Sequence, residues 1–174
     1  MKKEELNITW LYPDVLNLHG DRGNVMALKK VGEMLNLEVN IKRVDSYSQK
    51  IDFDNTDIIL INPGEVKVIS KIVDVLNKQK EELDKYVEDN KIILAIGTSG
   101  AILAKTVEYL DKTKINGLGY LDMEVIRKRY CIWKWCFIYI KRRWKHWNCR
   151  KSNTINWCKS KQRKSSWKSS LWNG

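Results

Sequence analysis

The composition of this chain changes abruptly after residue 126, and this break limits the folded domain that the sequence can encode. Residues 127–174 contain 15 Lys and Arg, no Asp or Glu, seven of the eight Trp and all four Cys. Residues 1–126 contain 17 Lys and Arg against 21 Asp and Glu, which is a formal charge of −4. Because the net charge of +11 comes entirely from the last 48 residues, we interpret the two parts separately.

The basic, Trp-rich segment has several interpretations. As a nucleic-acid-binding extension, its Lys and Arg would neutralise phosphates and its Trp rings would stack on bases. A disordered cationic arm is a second interpretation, but such arms are usually poor in aromatic residues, and this segment is rich in Trp. A zinc site lacks paired ligand spacing, since Cys131, Cys136, Cys149 and Cys158 form no CxxC and His146 is the one histidine nearby. A disulfide framework needs an oxidising compartment, and no signal peptide is visible.

The genetic code favours another interpretation, that residues 127–174 are read out of frame. Val, Ala, Asp, Glu and Gly, whose codons begin with G, supply 45 of the first 126 residues but only Gly174 in the tail. A shift of one base would turn Trp codons into Gly codons and AGA Arg codons into Asp or Glu codons. We therefore expect a domain over residues 1–126 that is incomplete at its C-terminus, followed by a frameshifted tail at 127–174.

The first 126 residues alternate between strand and helix patterns. Apolar or alternating runs predict strands at residues 6–11, 38–44, 57–61 and 91–96. Helical spacing predicts helices over 23–35, one long helix over 68–87 and a further helix over 101–110. This order predicts an α/β fold with a three-layer, mostly parallel, doubly wound sheet of flavodoxin-like type. No apolar run of about 18 residues suggests a membrane span, and the absence of Cys before residue 127 is compatible with a cytoplasmic chain.

Three loops follow predicted strands, at residues 12–24, 62–65 and 97–100. Ligands of such sheets bind at the carboxyl ends of the strands, where backbone N–H groups at helix starts favour an anion or oxyanion. For each loop alone, the simpler interpretation is that Gly and Asn form turns and that Thr98 or Ser99 caps a helix. The convergence of all three on one edge favours a binding site.

Two segments carry a family resemblance: LYPDVLNLHGDRGNVMALKK at 11–30 and INGLGYLDMEV at 115–125. With the order of strands and loops between them, they resemble the cobyric-acid-synthase-like class I glutamine amidotransferases. The branch that they resemble most is the glutaminase subunit of lipid II isoglutaminyl synthase, which partners a Mur-ligase-like subunit. The resemblance covers residues 6–126, roughly half to two-thirds of a full family domain.

The resemblance implies a chemistry that this chain has partly lost. In the family, a Cys at a strand-to-helix elbow attacks the glutamine amide, a downstream His is the base and backbone N–H groups form the oxyanion hole. Here Gly97 stands at the nucleophile position, and neither His19 nor His146 matches the base. The GTSGA sequence loosely resembles an esterase elbow, so Thr98 or Ser99 is an alternative nucleophile. The remaining implied binding residues are Gly64, as an oxyanion-hole amide, Glu65, Asp21, Arg22 and Asn24.

We therefore expect a glutamine amidotransferase-like protein related to ammonia supply for a Mur-ligase-like synthetase, but inactive as a glutaminase. Its expected ligand is glutamine or a small amide, without a metal or cofactor. The alternatives are a non-catalytic module that binds the synthetase and a nucleic-acid binder acting through the basic tail; nucleic acid is not the expected partner.

Overall fold

The computed structural model describes residues 4–18 and 22–126, together with the backbone of two short strands at 137–140 and 154–156. The strands are β1 (Glu5–Leu11), β2 (Glu38–Val44), β3 (Ile58–Ile61), β4 (Ile92–Ile96), β5 (Ala104–Glu108), β6 (Lys114–Asn116), β7 (Leu121–Ile126), β8 (Phe137–Ile140) and β9 (Thr154–Asn156). The helices are α1 (Arg22–Met34), α2 (Ile69–Asn77), α3 (Lys80–Glu88) and α4 (Gly100–Leu103). Single 3₁₀ turns lie at Val66–Val68 and Gly97–Ser99.

The main sheet has the strand order β2-β1-β3-β4-β8. Its first four strands are parallel, and β8 runs antiparallel to β4. The apolar sequences of β3 and β4, IILI and IILAI, suit strands that are covered on both faces. The structure confirms the expected α/β fold with a mostly parallel, flavodoxin-like sheet.

The two faces of this sheet belong to separate apolar clusters. On one face, Ile8, Trp10, Leu60 and Ile96 pack with Val25 of α1. On the other face lies a larger cluster, in which strand residues pack with α2 and α3; its members include Leu11, Ile59, Ile61, Ile93, Ile72, Leu76 and Leu83. Because side chains alternate along a strand, these clusters place helices on opposite faces and give three layers.

Helix α1 confirms the prediction over 23–35, but its apolar residues do not all face the sheet. Val25 is buried, and Gly32 lies so close to β2 that an added Cβ would be 2.4 Å from Val39 Cγ2. Three large apolar side chains of α1, and that of Leu35 just after it, are exposed together with the charged Lys30 and Glu33: Met26 63%, Val31 54%, Met34 75% and Leu35 68%. A helix can bury only one of its sides against a single sheet, and these apolar side chains lie on the other.

The long helix predicted over 68–87 is two helices in the structure. Helix α2 ends at Asn77 and α3 begins at Lys80. The break is stabilised at Gln79, whose side-chain oxygen accepts a hydrogen bond from the N–H of Ile51 at 2.9 Å. The predicted apolar stripe is buried along both helices, with Val68 and Val87 half-buried at its ends.

The prediction of a helix over 101–110 is wrong. Helix α4 ends at Leu103, and Ala104–Glu108 is strand β5. In β5, Ala104 and Val107 are fully buried and Lys105 is exposed, and the register of the pairing with β7 shifts between Ala104 and Thr106. β5 pairs with β6 in a hairpin and with β7 in parallel, and the second sheet has the order β6-β5-β7-β9.

Within the described ranges, every helix is too short or too polar to cross a lipid bilayer.

Candidate functional site

The three loops predicted to converge are in contact at the carboxyl ends of β1, β3 and β4. The N–H of Leu18 donates to the carbonyl of Pro63 at 3.1 Å. The Asn24 side-chain amide donates to Asn62 Oδ1 at 3.3 Å. Since further hydrogen bonds join residues 62–64 to 98–99, the edge forms one connected site.

Gly97 forms a strand-to-helix elbow directly after β4. Ile96 is extended, Gly97 has φ +61° and the chain then turns through Gly97–Ser99 into α4. This left-handed conformation is strained for residues with a Cβ and free of strain for glycine. A Cβ at this position would lie 3.3 Å from Pro63 Cβ. The elbow backbone is therefore formed, and it carries no side chain at the expected nucleophile position.

The Thr98 hydroxyl links the elbow to the loop after β3. It accepts a hydrogen bond from the N–H of Gly64 at 3.1 Å and donates to the carbonyl oxygen of the same residue at 2.7 Å. The hydroxyl's one proton and one of its lone pairs are thus directed at a single residue 34 positions away.

The Ser99 hydroxyl also joins the two loops. Ser99 is 1% exposed and donates a short hydrogen bond to the carbonyl of Asn62. With its proton used and its side chain enclosed, Ser99 presents no oxygen to a ligand at the surface. Asn62 is fully buried, and its role in joining all three loops was not singled out from the sequence. Its position immediately after a buried strand was the available signal.

Gly64 lies in a confined space beside the loop that follows β1. An added Cβ would lie 2.5 Å from Leu16 Cδ2 and 3.4 Å from the carbonyl oxygen of Val15. The next residue, Glu65, is exposed and pairs with Lys67 at 2.6 Å. Such exposed pairs contribute little to stability, and Glu65 forms part of the exposed surface next to Gly64.

Tyr12, which begins the loop at 12–24, belongs to the hydrophobic core. It follows β1 with φ +48°, and its ring is fully buried beside Tyr47, at 5.1 Å between centroids. Burial, with a smaller contribution from Tyr47, raises the pKa of Tyr12 to about 12. Within the described residues its hydroxyl has no hydrogen-bond partner. Tyr12 therefore remains a neutral phenol at neutral pH.

The remaining predicted residues are placed only in part. Arg22 begins α1 and is exposed. Asp21 and His19 lie outside the described residues, as do His146 and the four Cys. The described ranges contain no group of three or more His, Cys, Asp or Glu side chains arranged to hold a metal ion.

The segment at 117–119 forms hydrogen bonds to the end of helix α4, which follows the elbow, and to the start of β5. The N–H of Leu118 donates to the carbonyl of Ile102 at 2.8 Å, and that of Gly119 donates to the carbonyl of Ala104 at 3.0 Å. Helix α4 has only four residues, and its last carbonyls lack partners within the helix. Residues 117–119 therefore supply hydrogen-bond donors to carbonyls at the end of α4 and at the start of β5.

Comparison with known proteins agrees with this architecture. Residues 7–146 match the CobB/CobQ-like glutamine amidotransferase domain. The chain is 34% identical over 119 residues to "Lipid II isoglutaminyl synthase (glutamine-hydrolyzing) subunit GatD" of Streptococcus pneumoniae, covering 67% of this chain and 45% of that protein. It is 33% identical over 118 residues to the Staphylococcus aureus protein of the same name, covering 68% and 48%.

The chain thus spans about half the length of the curated relatives it matches. The domain match extends over most of the 174 residues, including the elbow and both resembling segments. The resemblance is confirmed, and the chain belongs to the CobB/CobQ-like glutamine amidotransferase family.

Proposed function

We propose that this protein is a glutamine amidotransferase-like binding module that does not hydrolyse glutamine. The observation that carries the proposal is Gly97, which occupies a left-handed elbow without any side chain. Glutaminase chemistry of this type forms a bond between a nucleophilic side-chain atom and the amide carbon while ammonia leaves. Glycine supplies no such atom.

The neighbouring hydroxyls are poor substitutes for a thiol. Thr98 donates its proton to Gly64, and Ser99 donates its proton to Asn62 from a buried position. An alcohol needs a positioned base to become a nucleophile. In both cases, the hydrogen-bond acceptor of the hydroxyl is a peptide carbonyl oxygen, which is not a general base.

An ammonia-release assay on the full chain tests this proposal. We expect no ammonia from glutamine above the enzyme-free rate, with the S. pneumoniae relative and its synthetase as the positive control. Thr98→Ala and Ser99→Ala should behave like the unchanged chain. Ammonia release that either substitution abolishes would contradict the proposal and assign an alcohol nucleophile.

A role in association with a Mur-ligase-like synthetase is supported by the outward side of α1. The two relatives are named as subunits of a synthase, and here four large apolar side chains of this helical segment face outward, those of Met26, Val31, Met34 and Leu35. Contiguous exposed apolar surface is typical of protein interfaces, and methionine adapts readily to a partner's surface. We propose this outward side as the synthetase-binding surface.

Substitution of one outward residue tests the surface. Burying a Met side chain contributes about 1.5–3 kcal/mol, so Met34→Lys should weaken association with the synthetase by at least tenfold. Leu110→Lys is the matched control, because Leu110 is also exposed but lies after β5, away from α1. Equal affinity of the two variants in a titration by calorimetry would reject α1 as the binding surface.

The nucleic-acid alternative rests on residues 127–174, whose side chains lie outside the described residues. Salt-sensitive DNA binding that disappears on deletion of 127–174 would follow from any segment carrying 15 basic residues. Only binding that survives the deletion would support a nucleic-acid function of the folded domain.

A further inference from the structure

We propose that the Thr98 hydroxyl is an internal ligand of the Gly64 peptide N–H, and that a carbonyl or carboxylate oxygen reaches this N–H only by displacing it. We call the paired hydrogen bonds between these two residues the Thr98–Gly64 bridge. The inference deepens the proposed function, because a glutamine carboxamide is the ligand expected to use this N–H.

The geometry of the bridge fixes the direction of each hydrogen bond. A Thr hydroxyl has one proton and two acceptor lone pairs. Its oxygen lies 2.7 Å from the carbonyl oxygen of Gly64, so the proton is donated there. The lone pairs then accept the N–H of Gly64, whose nitrogen is 3.1 Å away. The hydroxyl thus occupies the place in front of this N–H that a ligand oxygen would take.

The loop that carries the N–H is fixed independently of Thr98. Leu16 and the Val15 carbonyl confine Gly64 on one side, and the N–H of Leu18 holds the Pro63 carbonyl. Ser99 also remains bonded to the carbonyl of Asn62. Rotation of the Thr98 side chain is therefore the simplest way to free the N–H, and removing the hydroxyl should leave the loops joined.

The bridge should weaken ligand binding, because the hydrogen bond to the Gly64 N–H must be broken first. A neutral hydrogen bond in a folded protein has a modest net value, which corresponds to about five- to tenfold in a binding constant. A carboxylate forms a stronger, charge-assisted bond to the same N–H. The bridge should therefore weaken binding of a neutral carboxamide and be opened more readily by an anion.

Hydrogen exchange at Gly64 in the full chain tests the bridge without any ligand. In Thr98→Ala, the Gly64 amide should exchange about five- to tenfold faster, because its acceptor is lost. Thr98→Ser keeps the hydroxyl and should restore slow exchange. Thr106→Ala is the matched control on β5, and it should leave Gly64 exchange unchanged.

Glutamine titration of the same variants, followed at the Gly64 amide resonance, tests the displacement. Thr98→Ala should bind glutamine about five- to tenfold more tightly than Thr98→Ser. Unchanged Gly64 exchange in a folded Thr98→Ala variant, or equal glutamine affinity of the two variants, would overturn the proposal. Faster exchange in Thr98→Ala with no glutamine binding by any variant would overturn both the displacement and the proposed ligand, leaving the bridge as a structural link.

Discussion

Replacement of Gly117 by alanine should destabilise the domain strongly, because the new methyl group has no space. Its Cβ would lie 2.2 Å from the carbonyl oxygen of Ala104 and about 3 Å from those of Ile102 and Ala101. All three neighbours are backbone atoms of buried residues in or next to α4. Overpacking of this kind costs about 1–3 kcal/mol, and weakening the hydrogen bond from Gly117 N–H to Lys105 adds about 1 kcal/mol. We therefore expect a loss of about 2–4 kcal/mol.

Two other glycines provide controls that separate crowding from backbone strain. Gly119 has φ +76° and no atom within 4 Å of an added Cβ, so Gly119→Ala should lose only about 1–2 kcal/mol from the left-handed conformation. Gly23 lies in α1 with equally open space around its Cβ. Gly23→Ala should therefore be neutral or stabilise the domain by up to about 1 kcal/mol.

Urea unfolding followed by circular dichroism at 222 nm measures these differences. With a slope of about 2 kcal/mol per molar urea, in the middle of the usual range, Gly117→Ala should lower the midpoint by about 1–2 M. A midpoint equal to that of the unchanged chain, or a smaller loss than in Gly119→Ala, would refute the reasoning. It would mean that residues 117–119 can move away from α4 without cost and do not support the elbow.

Three further predictions concern the elbow, an ion pair and the tail. Gly97→Cys should fold with a loss of about 1–2 kcal/mol from its left-handed conformation, and its thiol should react with iodoacetamide in peptide mapping; an unreacted thiol would show a closed elbow. At Asp84, burial raises the carboxyl pKa, but hydrogen bonds from Lys80 and Tyr120 together outweigh burial, so the pKa is lowered. Because a lowered pKa stabilises the folded state above the unfolded pKa of about 4, Tyr120→Phe should destabilise the domain at pH 7, and the difference should shrink as the pH falls below 4; an urea midpoint difference that does not depend on pH would contradict this. For residues 127–174, the gene sequence should show an alternative frame rich in codons that begin with G, and an uninterrupted single frame with no such alternative would reject the frameshift.

The fold class could be predicted because its signals are local. The continuous apolar runs of β3 and β4 identify buried strands, and the carboxyl ends of parallel strands necessarily meet at one edge. That rule alone predicts that the loops at 12–24, 62–65 and 97–100 lie together. The structure adds the hydrogen bonds that join them.

The parts that could not be predicted depend on distant contacts. The residues after Leu103 fit helical spacing, yet β5 forms because β6 and β7 supply hydrogen-bond partners. Likewise, no local pattern pairs the Thr98 hydroxyl with Gly64, 34 residues earlier. The spacing of the apolar residues at 23–35 predicts α1, but spacing alone does not show which of them face the sheet.

The position of Gly97 separates two possible losses of glutaminase function. Gly97 lies 30 residues before the composition break, so a restored reading frame after residue 126 would not supply the elbow thiol. Conversely, a cysteine at 97 would not supply the base, which the family resemblance places downstream. Gly97 nevertheless has φ +61°, and residues 118 and 119 donate hydrogen bonds to the carbonyls of Ile102 and Ala104, which follow the elbow. The left-handed elbow is therefore present with glycine at this position, which is compatible with the proposed binding role of the same loops.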